Sequence, residues 1–195
     1  MPFKTEIQNR SGLFRDLKTL ETPRLILRKL NMRDANDIFE YASMPEVSEH
    51  VTWDYHRNIA DSMAFLKLIV QQYEDSKPSP WGIVEKSSGK LIGTGGYHNW
   101  FAEHRRAEVG YAISSKFWSR GLMTEALEEM LSFGFETMGL NRIEALCRKE
   151  NPASEKVLLK CGMKFEGVLR EQMFMKGIFQ DLKIFSILEN EFRKS

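Results

Sequence analysis

The feature that most constrains this chain is a strand, a short glycine-containing loop and a long helix, which follow one another between residues 107 and 139. Residues 107–113 (AEVGYAI) are typical of a strand, and apolar side chains recur at helical spacing from Leu127 to Met138. Gly139 stands where a left-handed cap would end that helix. This order places the free N–H groups of a helix N-terminus beside a strand end, which favours a bound phosphate or pyrophosphate. An ordinary strand–loop–helix connection with a solvated arginine explains the stretch equally well.

The loop itself supports the anion hypothesis with two residue types. Arg120 adds a positive charge, and Gly121 would let a ligand approach the backbone closely. The nucleotide-binding signatures Gly-x-x-x-x-Gly-Lys-Ser/Thr and Gly-x-Gly-x-x-Gly after a strand do not occur in the sequence. The anion is therefore expected to belong to some other carrier.

Composition excludes several classes of protein. With 195 residues, 42% of them hydrophobic and 28% charged, the chain predicts one globular domain over residues 1–195. A net charge of +1 lacks the basic surface of nucleic-acid-binding proteins, and no apolar run approaches the ~20 residues that cross a bilayer. The N-terminus has no apolar signal-peptide core, two cysteines fit a reducing compartment, and four scattered histidines lack metal-ligand spacing. We therefore expect a cytoplasmic protein without a metal, nucleic-acid or membrane partner.

The order of predicted elements gives the fold class. It is β, α, α, β, β, β, α, β, α, β, β, an antiparallel meander followed by a βαβ unit. This order predicts an α/β (α+β) fold with a mixed, mostly antiparallel twisted sheet of about seven strands, flanked by helices. Residues 1–18 are compatible with a short helix or an arm, Pro45 is expected to stop a helix, and residues 46–57 are predicted to be irregular. In the βαβ unit, Asn151 is expected to cap the second helix with Pro152 at its first position.

Five segments together carry a family resemblance that covers about residues 20–190. In their order and spacing they closely resemble the GNAT superfamily of acyl-CoA-dependent N-acetyltransferases, and within it the ribosomal-protein N-terminal (alanine/serine) acetyltransferase branch. The segments are residues 22–28 (TPRLILR), 107–111 (AEVGY), 118–126 (WSRGLMTEA), 151–154 (NPAS) and 167–170 (GVLR).

The resemblance implies acetyl-CoA as co-substrate and a sheet that splays at the acyl-CoA site. The pantetheine arm is expected to pair with the backbone of Ala112 and Ile113, with Asn151 and Ser154 beside the thiol end. The pyrophosphate is expected on the loop amides of Arg120, Gly121, Leu122, Met123 and Thr124. Met123 departs from the family, which usually has Gly or Ala at that position.

Glu108 is the main candidate for the general base, since an ammonium group must lose a proton before it attacks a thioester. Glu108 could instead be a solvated carboxylate or the ion-pair partner of Arg105 or Arg106. Ser154 could protonate the departing thiolate, or it could only bond the backbone of the first helical turn. Leu158 and Met173 stand where some relatives carry a catalytic tyrosine and a catalytic glutamate, which shifts these roles to other groups or to water.

The acceptor is expected to be a primary amine, and the family branch favours a protein or peptide N-terminus attacked directly in a ternary complex. Trp53, Tyr97 and His98 are the candidate pocket residues, although packing in the core is the favoured role for Trp53. A polyamine, an aminoglycoside or an amino acid remains an alternative acceptor, and a catalytically inactive acyl-CoA-binding module remains an alternative function. The resemblance is compatible with a monomer or a homodimer.

Overall fold

The computed structural model describes residues 12–192, which form one layered α/β domain. Among these residues, no helix is both long and apolar enough to cross a membrane. The strands are β1 (Leu20–Glu21), β2 (Leu25–Arg28), β3 (Pro80–Glu85), β4 (Leu91–Phe101), β5 (Arg106–Ile113), β6 (Arg142–Arg148), β7 (Lys164–Met175) and β8 (Ile178–Leu188). The α-helices are α1 (Ala35–Ala42), α2 (Pro45–Ser48), α3 (Ile59–Glu74), α4 (Leu122–Ser132) and α5 (Pro152–Lys160).

The strands form one sheet in the order β1-β2-β3-β4-β5-β6-β8-β7. All neighbouring pairs are antiparallel except β5 and β6, which are parallel. The predicted mixed and mostly antiparallel sheet is therefore confirmed. It has eight strands rather than about seven, because Leu20 and Glu21 pair with β2 as a short additional edge.

The parallel pair β5–β6 separates partway along its length. The two strands are in register only at three positions, the last of which pairs Glu108 with Glu144. Beyond Glu108, β5 stays with β4 as far as Ile113, whereas β6 stays with β8 as far as Arg148. The sheet therefore opens between β5 and β6, as the resemblance implied.

The alternation of side chains along β4 shows that α1 and α4 cover opposite faces of the sheet. The Thr94 hydroxyl lies 3.3 Å from the Tyr41 hydroxyl of α1. Gly95 packs against Met130 of α4, and the hydroxyl of Tyr97 donates to the Met130 carbonyl. Because successive residues of a strand point to opposite faces, the gap between β5 and β6 connects the α1 side with the α4 side.

The helix that follows the gap begins as the sequence predicts. Gly121 stands before α4 with a left-handed φ of 74°, and Leu122, Ala126, Leu127 and Met130 are buried on its inner face. The helix continues through a π-helical turn at Phe133–Thr137, and Gly139, with φ 59°, follows it. The start and the end of this helix are thus confirmed.

Two other stretches are more ordered than the sequence indicated. Residues 12–18 pack against the domain, since Phe14 is fully buried and the Trp81 indole donates to the Lys18 carbonyl at 2.8 Å. Residues 1–11 lie outside the described part of the chain. Pro45 does not merely stop α1, because it occupies the first turn of α2, and only residues 49–57 form the irregular loop.

Candidate active site

Two cavities meet at the gap between β5 and β6. We call one the α4 cavity, because the N-terminus of α4 lines it, and the other the Glu108 cavity. Their volumes are about 500 Å³ and 420 Å³, respectively. Six residues line both cavities and therefore mark the junction: His50, Val51, Tyr111, Ala112, Asn151 and Ser154.

The α4 cavity has the features that a pyrophosphate-bearing ligand requires. The first intrahelical bond of α4 runs from the Glu125 N–H to the Gly121 carbonyl at 3.1 Å. The N–H groups of residues 122–124 precede that bond, so the helix supplies them with no partner. Together with the positive end of the helix dipole they form an anion site. Apart from Arg120, all residues that the sequence analysis predicted to bind the cofactor line this cavity: Ala112, Ile113, Gly121, Leu122, Met123, Thr124, Asn151 and Ser154.

The side chain of Arg120 does not line the α4 cavity, contrary to the prediction of a positive charge free to meet the anion. Its Nη2 donates to Glu85 Oε1 at 2.9 Å, and its guanidinium lies 5.0 Å from the ring of Phe117. The backbone of Arg120 is held as well, since its carbonyl accepts from Arg24 Nη1 at 3.0 Å. The residue therefore fastens the loop to β3.

Two lysines, and not Arg120, bring positive charge to the lining of the α4 cavity. Lys156 and Lys160 line the α4 cavity from α5, and their spacing of four residues puts them on one face of that helix. These two lysines were not selected in the sequence analysis. Both lie on the helix that the predicted cap Asn151 begins, so their position on one helical face could have been recognised from the sequence.

Arg120→Ala is expected to raise the dissociation constant of acetyl-CoA by no more than about fivefold, because only a partly exposed ion pair to Glu85 is lost. Lys156→Ala combined with Lys160→Ala should weaken binding more strongly, since both charges line the cavity. Calorimetry with CoA at fixed ionic strength measures both variants. A greater loss for Arg120→Ala than for the double lysine variant would contradict this assignment.

The Glu108 cavity contains one carboxylate among the described residues that line it. Glu108 Oε2 accepts from Asn99 Nδ2 at 2.9 Å, and Oε1 lies 3.8 Å from Nε2 of His98. Burial lowers the pKa of the His98 imidazole despite the nearby carboxylate, which favours the neutral imidazole at pH 7.

The alternative ion-pair partners of Glu108 are engaged elsewhere. Arg105 binds Glu189 at 3.1 Å, and Arg106 binds Glu144 at 3.3 Å. The hypothesis that Glu108 pairs with one of these arginines is therefore wrong. Its side chain is 18% exposed, so it is not a fully solvated carboxylate either.

Of the three candidate pocket residues, Trp53 and His98 line the Glu108 cavity and Tyr97 does not. Tyr97 is 1% exposed, and its hydroxyl donates to the Met130 carbonyl at 2.7 Å. The expectation for Tyr97 is wrong because neighbouring strand residues point to opposite faces. His98 faces the cavity, and Tyr97 consequently faces α4.

The first turn of α5 places polar groups at the junction of the cavities. Asn151 caps the helix, as predicted, by accepting the Ser154 N–H at its Oδ1 at 3.0 Å, and Pro152 follows it. The Ser154 hydroxyl lies 3.0 Å from the hydroxyl of Tyr111, a residue that sequence reasoning did not select. Leu158 and Met173 also line the Glu108 cavity, so neither position supplies a titratable group there.

Comparison with known proteins agrees with this geometry. A sequence profile described as an acetyltransferase (GNAT) domain matches residues 24–164. The uncharacterized N-acetyltransferase YoaA of Bacillus subtilis is 36% identical over 170 residues, which span 87% of this chain and 96% of YoaA. The [ribosomal protein uS5]-alanine N-acetyltransferase of Escherichia coli is 25% identical over 83% of this chain and 86% of its own length. The crystal structure of a GNAT-family acetyltransferase from Bacillus anthracis superposes with a TM-score of 0.80 at 26% identity, over 89% of this chain and all of that one.

Proposed function

This chain belongs to the GNAT family of acetyltransferases, and we propose that it transfers the acetyl group of acetyl-CoA to the α-amine of a protein or peptide N-terminus by direct attack in a ternary complex. The α4 cavity would hold the CoA and the Glu108 cavity would hold the acceptor. The thioester would lie at the junction, where the strands separate. The two substrates would thus meet with the reacting atoms side by side, which contributes much of the rate of such reactions.

The observation that carries the choice of acceptor is the charge of the Glu108 cavity. Glu108 is the single carboxylate among its described lining residues, and Arg148, which also lines the cavity, has its guanidinium bound to Glu150 at 3.5 Å and to the Glu49 carbonyl at 3.0 Å. One carboxylate matches one ammonium group. A polyamine or an aminoglycoside carries several positive charges, which would need several carboxylates.

The apolar lining of the Glu108 cavity also suits the first side chains of a peptide. Trp53 lies on the loop after α2, Phe65 lies on α3, and Met173 and Met175 lie on β7. Methionine side chains adapt to differently shaped apolar groups, which suits variable first residues. The similarity to an enzyme named for the alanine of a ribosomal protein supports a protein N-terminus as well.

The reaction needs two proton movements. Glu108, acting directly or through water, would take a proton from the acceptor ammonium, a contribution typically worth about 10²–10⁴-fold in rate. The free amine would then attack the thioester carbonyl, so that the C–N bond forms and the C–S bond breaks with its electron pair passing to sulfur. The nitrogen would lose its second proton to water, which leaves the neutral amide. Ser154 lies at the junction, and its hydroxyl would stabilise the leaving sulfur.

The cysteines support direct transfer without an acetyl-enzyme. Burial raises the pKa of the Cys147 thiol to about 11 and that of the Cys161 thiol to about 12. Both are therefore protonated at neutral pH, and a protonated thiol is a poor nucleophile.

A panel of acceptors tests this proposal by following CoA release. Short peptides with a free N-terminus and a small first residue should be acetylated with kcat/KM at least about tenfold above spermidine or an aminoglycoside. The same peptides with a blocked N-terminus serve as the matched control and should give no release. Initial-rate plots should show intersecting lines, as a ternary complex requires.

Three results would contradict the proposal. Efficient acetylation of spermidine or an aminoglycoside with inactive peptides would move the acceptor to a small molecule. Parallel initial-rate lines would require an acetyl-enzyme. Tight CoA binding with no release for any amine would indicate an inactive acyl-CoA-binding module.

A further inference from the structure

Tyr111 and Ser154 form a pair of hydroxyl groups at the junction of the two cavities, where the thioester must lie. Tyr111 belongs to the separated part of β5, and Ser154 belongs to the first turn of α5. Both residues line both cavities. Glu108 lies three residues before Tyr111 on the same strand, so the two side chains leave β5 on opposite faces. Glu108, which would act on the amine, and Tyr111, which lies beside the leaving sulfur, are thus on different sides of the sheet.

The hydrogen bonds around Ser154 limit where its own hydroxyl proton can point. Its N–H is held by Asn151 Oδ1 at 3.0 Å, which fixes the helical turn. The Tyr111 oxygen lies 3.0 Å from Ser154 Oγ and 3.3 Å from the Ser154 carbonyl oxygen. A hydroxyl has one proton to donate, and Oγ is the nearer acceptor. When Tyr111 donates to Oγ, the proton of Ser154 is not used by Tyr111 and is available to a sulfur atom, that of the neighbouring Cys147 or one that lies in the junction.

We propose that Tyr111 is a positioning residue whose hydroxyl donates to Ser154 Oγ, so that the Ser154 hydroxyl donates its hydrogen bond to the sulfur of the leaving CoA. When the C–S bond breaks, the electron pair passes to sulfur and the thiolate accepts this hydrogen bond. The Ser154 proton stays on Ser154, and solvent protonates the thiolate after release. The inference rests on the acetyl transfer of the proposed function but is independent of which amine is the acceptor.

The surroundings of Tyr111 keep its hydroxyl in the donor form. Burial raises the pKa of the Tyr111 hydroxyl, so it stays protonated throughout the range in which an α-amine becomes a nucleophile. Leu158, one helical turn after Ser154, has no hydroxyl to offer the sulfur. The pair at the junction is therefore placed to stabilise the developing charge by a hydrogen bond rather than by proton transfer.

The pKa of the CoA thiol in its complex with the protein tests this arrangement without any acceptor. Thiolate absorbance is titrated at saturating CoA, and the complex with desulfo-CoA is subtracted to remove the signals of tyrosines and of Cys147 and Cys161. A hydrogen bond to a charged group favours that group, so Tyr111→Phe and Ser154→Ala should each raise the thiol pKa by roughly one unit. The double variant should match Ser154→Ala alone, since Tyr111 acts through Ser154.

Tyr41→Phe is the matched control, because Tyr41 is a buried tyrosine whose hydroxyl also neighbours a hydroxyl, that of Thr94 at 3.3 Å, but it lines neither cavity. The thiol pKa should be unchanged in this variant. A wild-type value in Tyr111→Phe would remove the positioning role, and a wild-type value in Ser154→Ala would show that Ser154 does not reach the sulfur. Failure of the peptide panel would leave this result unaffected.

Discussion

Gly121→Val is expected to weaken acetyl-CoA binding by roughly 100-fold. Gly121 has a φ of 74°, a left-handed conformation that a β-branched residue adopts only with strain of roughly 1–3 kcal/mol. The loop would relieve the strain by changing its backbone, and the N–H groups of residues 122–124 would then turn away from the pyrophosphate. About 2.7 kcal/mol corresponds to 100-fold in affinity. Calorimetric titration with CoA measures the effect.

Gly89→Val is the matched control for this substitution. Gly89 has a similar φ of 68°, its added Cβ meets nothing within 4 Å, and it lines neither cavity. It should therefore lose similar stability, seen as a lower Tm, while keeping its affinity for CoA. Equal affinity losses in both variants would indicate that general destabilisation, and not the loop, is responsible. Undiminished affinity in Gly121→Val would exclude the loop from the site.

Glu108→Gln is expected to lower kcat/KM at pH 7 by about 10²–10⁴-fold, the range of general base catalysis. The loss should shrink as the pH rises. An α-amine has a pKa of about 7.7–8.0, so the fraction of free amine increases through this range and less depends on a base in the protein. The affinity for acetyl-CoA should be unchanged, because Glu108 does not line the α4 cavity. Steady-state rates measured from about pH 6.5 to about pH 9.5, on both sides of the α-amine pKa, test this.

Glu144→Gln provides the comparison for Glu108→Gln. Glu144 is the residue in register with Glu108 on β6, but it binds Arg106 and Arg142 and lines neither cavity. Its substitution should lower Tm and leave the shape of the pH profile unchanged. A wild-type pH profile in Glu108→Gln would show that Glu108 is not the general base. It would not contradict direct transfer in a ternary complex.

The sequence by itself determined the parts of the site that depend on local backbone chemistry. Gly121 and Asn151 mark two helix starts through a left-handed glycine and a side-chain cap, and these signals act within a few residues. The order of strands and helices likewise predicted the mixed sheet, and the family motifs implied that it opens between β5 and β6. Glu108 was selected from its place on the strand that leads to this opening, and the structure places it in the lining of the cavity named after it.

Only the tertiary structure decided which way side chains point and which partners they meet across the chain. A register shift between Tyr97 and Trp100 determines how the end of β4 meets β5, and sequence patterns do not specify it. Arg120 meets Glu85, and Tyr111 meets Ser154, over separations of 35 and 43 residues. Such contacts depend on how the sheet and helices pack. For this reason the sequence placed the glycine loop at the α4 cavity but expected the positive charge there from Arg120, whereas Lys156 and Lys160 line the cavity, and it overlooked Tyr111.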